Sequence, residues 1–194
     1  MGRIAVIFDL DGTITRPFLD FEAIRREMGL PKGLPILEAM GTLDAPGRAA
    51  AEAVLDRHEQ AAAEQSTTHD GAREAIERLR GHGCPVAILT RNTRKWTTFV
   101  LDKHGIVVDA IRCREDGAVK PSPQPVRELC QVLGADPAAS WMIGDHRFDL
   151  ESGRDAGSRT ILMLGDREDM PTWADLADHI VRSFAEIPPL ILHA

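Results

Sequence analysis

The stretch Ile4-Ala5-Val6-Ile7-Phe8-Asp9-Leu10-Asp11-Gly12-Thr13 is an apolar run that ends on two carboxylates and a glycine. The run reads as a buried strand, and the turn after it falls at a strand's carboxyl end, where open α/β sheets bind their ligands. Residues two apart in an extended chain point the same way, so Asp9 and Asp11 leave the strand facing one small volume. Carboxylates that close repel, and a divalent cation with a preference for oxygen ligands, magnesium above all, is the usual means of keeping them ionised. The same residues also spell a plain acidic turn, with Gly12 supplying backbone angles that other residues avoid. The rest of the chain decides between the two.

Four further short apolar runs read as buried parallel strands: Pro85-Val86-Ala87-Ile88-Leu89, Ala110-Ile111-Arg112-Cys113, Ser140-Trp141-Met142-Ile143 and Thr160-Ile161-Leu162-Met163. Amphipathic stretches separate them, predicting helices at about 71–82, 93–104, 122–133 and 147–156, each stopped by a glycine at 83, 105, 134 or 157. A last strand is expected at His179-Ile180-Val181, with a short helix after it. Strand alternating with helix implies crossovers and a parallel, Rossmann-like α/β sheet.

One block interrupts the alternation. Residues 15–68 show no strand, only two helical patterns joined by the loops Gly29–Gly33 and Gly41–Pro46. Phe18, Phe21, Ile24 and Met28 line one face of the first, and the alanine-rich stretch Arg48–Ala63 makes the second. The block is read as a small all-α cap inserted into a core made of residues 1–14 and 69–194.

The remaining candidate residues all fall at strand ends. Thr90 closes the second strand, with Arg91-Asn92 after it. Lys120 lies in the loop beyond the third, followed by Pro121-Ser122-Pro123. Gly144-Asp145 closes the fourth, with Asp149 one helical turn on. Taken singly, Thr90 is an ordinary helix cap, Lys120 a surface charge and Asp145 an acid at a helix N-terminus. Taken together and in this order, they argue for one site.

A chain of 194 residues holds one well-cored domain with a small addition. Its formal net charge of −7 and lack of a basic cluster weigh against nucleic acid or an anionic membrane as partner, and favour a small molecule. Cys84, Cys113 and Cys130 are odd in number and lack metal-binding spacing, and no apolar run has the length of a membrane span, so a soluble, cytoplasmic protein is expected. Core elements use most of the apolar residues, so no oligomer interface is marked.

The pattern Asp9-Leu10-Asp11-Gly12-Thr13, then Thr90, then Lys120-Pro121, then Gly144-Asp145 with Asp149, resembles the four motifs of the haloacid dehalogenase superfamily, phosphatase branch. The block between the first two motifs is similar to the helical caps of phosphoglycolate phosphatase-like members. The resemblance implies Asp9 as nucleophile, forming an aspartyl-phosphate, and Asp11 as the acid and base that protonates the leaving alkoxide and then activates water. It implies Thr90 and Lys120 on the phosphoryl oxygens, backbone amides at Gly12 and Thr13 near the phosphate, and Mg²⁺ held by Asp9, the carbonyl of Asp11 and Asp145, with Asp149 beside it. Relatives that cleave carbon–halogen bonds lack the second acid, which disfavours dehalogenation here.

Three departures from the family pattern stand out. Arg91-Asn92 replaces the usual order of Asn before a basic residue, leaving Arg91 to meet either a substrate anion or a neighbouring carboxylate and Asn92 beside the phosphate. His146 replaces a small hydroxyl residue, and Thr15-Arg16-Pro17 departs from the usual continuation of the first motif. The expected activity is a Mg²⁺-dependent phosphomonoester hydrolase acting on a small anionic phosphorylated metabolite, phosphoglycolate by analogy. Arg16, Arg25, Arg26, Lys32 and Arg48 are candidates to meet a substrate carboxylate. The rivals are a phosphosugar mutase, a nucleotide phosphatase, and a non-catalytic binding protein, which the presence of every motif acid disfavours.

Overall fold

In the computed structural model, which describes residues 2–193, the chain divides into two compact units: Phe18–Ser66, and the chain before and after it. The second unit carries a sheet of six strands among the described residues: β1 (Val6–Phe8), β2 (Val86–Leu89), β3 (Ala110–Arg112), β4 (Trp141–Gly144), β5 (Arg159–Met163) and β6 (His179–Val181). Their order is β3-β2-β1-β4-β5-β6, and every neighbouring pair is parallel. Each residue of β1, β2 and β4 is buried, as expected of strands covered on both faces. Phe8 lies level with Ile88 and Ile143, so the residues that follow, Asp9, Thr90 and Asp145, emerge at the same edge. The chain builds outward from β1 to β3 and then returns to β4 on the other side. That reversal opens a crevice at the carboxyl ends of β1 and β4.

The Phe18–Ser66 unit holds α1 (Phe21–Glu27), α2 (Ile36–Met40) and α3 (Ala45–Gln65). Asp20 caps the first by accepting from Ala23 N at 2.9 Å, and Asp44 caps the third by accepting from Gly47 N at 2.9 Å, as short acids do at helix starts. The unit has its own core, built on Ile24, Leu30, Ile36, Ala39, Met40, Ala51 and Leu55. Two expectations are corrected here. Phe18 and Phe21 are 49% and 57% exposed rather than part of a buried face, because α1 starts only at Phe21 and its short span turns Ile24 alone fully inward. The two helical patterns expected become three helices among the described residues, because the five-residue α2 has too few positions to show a period in the sequence.

In the larger unit α4 (Ala72–Gly81), α5 (Arg94–Lys103), α6 (Gln124–Val132), α7 (Arg147–Ala156) and α8 (Ile187–Leu192) match the expected order, with ends shifted by at most two residues. The start of α6 moves from 122 to 124 where Pro123 takes the cap position. One sheet face is filled by Ile7, Ala87, Leu89 and Met142 against Val126, Leu129 and Cys130 of α6 and Ala156 of α7. Phe8 stacks on Phe184 at 5.9 Å between ring centres.

The fit of α7 to the sheet has no slack at Gly153. A Cβ there would lie 2.7 Å from Met142 Cβ and 2.8 Å from Thr160 Cγ2. Gly153→Ala is therefore expected to lower stability by about 1–3 kcal/mol, the usual cost of overpacking a dense core. A denaturant titration checks this, and an unchanged midpoint would mean that α7 can ride away from β4 at no cost.

Candidate active site

Asp9 leaves β1 almost fully buried, and Lys120 reaches it from the loop beyond β3. Lys120 Nζ lies 2.5 Å from Asp9 Oδ1 and 2.6 Å from Asp149 Oδ1, with the lysine side chain 3% exposed. A buried ammonium without partners is prohibitively costly, so the two carboxylates are what keep it there. Asp149 is itself held by the start of α7. Its Oδ2 accepts from His146 N at 3.0 Å, while His146 Nδ1 accepts from Phe148 N at 3.2 Å, a reciprocal cap of the helix. His146 thus does the capping work of a small hydroxyl residue, and its ring packs on Phe148 and Trp173.

Thr13 joins the first and fourth motifs. Its Oγ1 donates to Asp145 Oδ1 at 2.9 Å and lies 3.4 Å from Asp9 Oδ2. Between them Gly12 adopts φ +92°, and a Cβ at that position would lie 2.6 Å from Asp145 Oδ2, so both the turn and the close approach require glycine. Asp11 faces another way. Its Oδ2 accepts from Asn92 Nδ2 at 3.1 Å and from Thr90 Oγ1 at 3.5 Å, and Thr90 Oγ1 in turn accepts from Asn92 N at 3.0 Å.

The electrostatics follow from crowding. Burial, with further repulsion from Asp149, raises Asp9 to about 6 despite the opposing pull of Lys120. Burial and the charge of Asp9 raise Asp11 to about 6, and burial with Asp9 and Asp149 raises Asp145 to about 7. For Lys120 burial favours the neutral amine, but Asp149 and Asp9 outweigh it and push its pKa up. One ammonium does not neutralise this group of carboxylates.

Asp9, Asp145 and Asp149 each offer an oxygen within 4.8 Å of the others, a spacing that one hard cation can bridge. Asp149 already serves Lys120 with one oxygen and the helix cap with the other, which leaves Asp9 and Asp145 as the better placed donors. The Asp11 side chain turns toward Asn92 and Thr90 rather than into this trio.

The structure therefore brings Asp9, Asp11, Gly12, Thr13, Thr90, Asn92, Lys120, Asp145 and Asp149 into one cluster. Arg91 makes two contacts beside those considered for it. Its Nη1 donates to the Lys120 carbonyl at 2.5 Å, and its guanidinium lies over the Phe148 ring at 5.1 Å. Of the cations weighed for a substrate carboxylate, Arg25 donates to Pro31 O at 2.8 Å and Arg48 pairs with Glu52 at 3.0 Å. Arg16 pairs with Asp70 and Asp166, within the sheet-bearing unit. Sequence reasoning missed Ser152, whose Oγ donates to Ser122 O at 2.6 Å and ties α7 to the loop that carries Lys120. A serine inside a helix gives no signal of such a contact.

The family model of haloacid dehalogenase-like hydrolases matches residues 20–157, a span that holds Thr90, Lys120, Asp145 and Asp149. The chain is 30% identical over 179 residues to the N-acetylmuramic acid 6-phosphate phosphatase of Pseudomonas aeruginosa, covering 80% of this chain and 79% of that protein. It is 27% identical over 217 aligned positions to the phosphoglycolate phosphatase of Chromobacterium violaceum, covering 96% of each. The crystal structure of a predicted phosphoglycolate phosphatase from Haemophilus somnus shares the fold with a TM-score of 0.76 at 20% identity, over 97% of each chain.

The raised carboxyls give a pH dependence whose sign is fixed. Between the ordinary value of 3.8 and about 6 to 7, the folded protein binds more protons at Asp9, Asp11 and Asp145 than the unfolded chain does. Their contribution to stability is therefore present at low pH and lost as pH rises through that window. A cation that binds the ionised carboxylates offsets the loss, so the rise in Tm on adding MgCl₂ over EDTA should be larger at pH 8 than at pH 5 and should vanish in Asp145→Ala. An equal rise at both pH values, or an unchanged rise in the variant, would remove these carboxylates from cation binding.

Proposed function

The chain belongs to the haloacid dehalogenase-like hydrolases and is a phosphatase of that family, and from this premise we propose that it hydrolyses a small phosphate monoester through an aspartyl-phosphate on Asp9. The observation that carries the reading is the division of labour between the two acids of the first motif. Asp9 faces Lys120, whereas Asp11 is held apart by Asn92 and Thr90 with its pKa near 6. Burial raises both acids to about 6, so what separates them is their partners: Asp11, held by neutral donors, can give a proton and take it back near neutral pH, while the ammonium of Lys120 favours the ionised form of Asp9 that attacks.

In the first half-reaction a carboxylate oxygen of Asp9 bonds to phosphorus as the ester P–O bond breaks, and the Asp11 proton goes to the departing alkoxide. In the second, Asp11 takes a proton from water as that water attacks phosphorus, and phosphate leaves with Asp9 restored. Lys120 and the backbone amides of Gly12 and Thr13 supply positive charge and donors to the phosphoryl oxygens. Thr90 serves both the phosphoryl group and Asp11. Arg91 acts on the site by fastening the Lys120 carbonyl. Asp9, Asp145 and the Asp11 carbonyl, with Asp149 beside them, would hold Mg²⁺, which would supply the charge that lets two anions approach each other.

The substrate is read as a small organic phosphate that also carries a carboxylate. Both N-acetylmuramic acid 6-phosphate and phosphoglycolate, named for the two relatives, combine those groups. The unit Phe18–Ser66, joined to the rest of the chain at both ends near the first motif, is assigned the role of cap and the choice of leaving group.

Phosphate release from a panel of phosphoglycolate, sugar phosphates including N-acetylmuramic acid 6-phosphate, and nucleotides tests this. Release is expected from the carboxylate-bearing esters with Mg²⁺ and none with excess chelator, and Asp9→Asn is expected to abolish it with the fold retained. Turnover that needs a sugar bisphosphate and releases no phosphate would establish a mutase instead, and activity retained in Asp9→Asn would refute the covalent route.

A further inference from the structure

His69 stands where the chain returns from the Phe18–Ser66 unit, and it is 6% exposed. The outgoing and returning segments pair: Thr15 bridges Thr68 antiparallel, Arg16 N donates to Thr67 O at 2.8 Å, and His69 N donates to Ile14 O at 3.0 Å. Thr15 also bridges back to Asp11, and both Ile14 N and Thr15 N donate to Leu10 O at 3.0 Å. The turn that carries Asp11 and Gly12 is thus closed on itself and pinned to the returning segment.

The imidazole adds a side-chain link to this backbone circuit. Burial lowers its pKa, and a hydrogen bond with the Gly12 backbone opposes that, as it does when a ring N–H donates to a carbonyl. Nε2 is buried with no hydrogen-bond partner among the described residues, which assigns the Gly12 bond to Nδ1. Gly165, after β5, admits the ring, since a Cβ there would lie 2.6 Å from His69 Cε1. The other face of the ring lies 6.4 Å from Phe184. For packing alone phenylalanine would serve as well and would strand no nitrogen. A buried ring that leaves one nitrogen unpaired is accounted for by what the other nitrogen does.

We propose that His69 is a positioning residue for the acid–base step: by donating from Nδ1 to the Gly12 carbonyl it fixes the left-handed Gly12 turn and with it the direction of Asp11. The proposal rests on the reading of Asp11 as the proton donor. Asp11 has Asn92 and Thr90 to hold its carboxyl, but the backbone from which it hangs is held by this bond. A small rotation of the Gly12 peptide moves the proton away from the leaving oxygen, while Asp9, two residues closer to β1 than Asp11, keeps its pairing with Lys120.

Leaving-group dependence separates this role from a merely structural one. An alkyl or phenyl phosphate needs its leaving oxygen protonated, whereas p-nitrophenyl phosphate does not. In the full-length protein His69→Phe is expected to lower kcat about ten- to a hundredfold on phenyl phosphate and glycerol phosphate, with a change below about threefold on p-nitrophenyl phosphate and an unchanged KM. His69→Asn, whose amide can reach the Nδ1 position, is expected to behave like the parent, and His69→Gln like His69→Phe. This pair keeps the test decisive if the phenylalanine variant folds poorly. Equal losses on all substrates, no loss, or no difference between Asn and Gln would overturn the proposal. Asp11→Asn run in parallel should show the same substrate bias in stronger form. If it shows none, the acid assignment itself fails, whereas a bias in Asp11→Asn without one in His69→Phe refutes the role of His69 alone.

Discussion

The ion pair that joins Lys120 to Asp9 and Asp149 organises the rest of the site. It brings together β1, the loop beyond β3 and the start of α7 around one buried ammonium. Stripping the lysine of water and placing it between two carboxylates is tolerable only because the pairing is close on both sides. The geometry also orders the acids by duty. Asp149 is spent on Lys120 and on the helix cap, and Asp9 keeps one oxygen toward Lys120 and the other near Thr13, while Asp145 stands at the open side. What remains is a surplus of negative charge, visible as carboxyl pKa values near 6 and 7. Proton uptake or a bound cation relieves that surplus, and a phosphate ester approaches favourably only when one of them is present.

Much of the sheet was legible because buried parallel strands are written as unbroken apolar runs, and a stop such as Asp9 or Gly144-Asp145 marks where the run meets the crevice. The inserted unit was less legible, since α1 has seven residues and α2 five, too few for a period to separate an inward Ile24 from an outward Phe21. In the site, the acids, Lys120 and Thr90 could be placed at strand ends by counting. The contacts among them could not. Asn92 reaching Asp11, Arg91 turning to the Lys120 carbonyl, and Ser152 holding Ser122 each join residues distant in the chain, and in the last two the partner is a backbone carbonyl, which carries no sequence signal. His69 is harder still, because its hydrogen bond is also to backbone and its other nitrogen has no partner among the described residues to betray it.

These contacts separate what the fold must conserve from what it can vary. Every residue in the carboxylate–lysine cluster belongs to the sheet-bearing unit and is braced by elements of that unit: the capped α7, the loop fastened by Arg91 and Ser152, and the closed turn from Leu10 to Thr15. The Phe18–Ser66 unit meanwhile buries Ile24, Ile36, Met40 and Leu55 against one another in a core of its own. Substitutions on its outer surface therefore leave the bracing of the acids intact. Phosphoryl chemistry is indifferent to most of the leaving group, so on the proposed assignment of the separately cored insert to the remainder of the substrate, that unit would be free to drift while the phosphate cluster is held. The two segments that link the units are where such independence would break down, and there Thr15, Thr68 and His69 are tied to the same turn that carries Asp11.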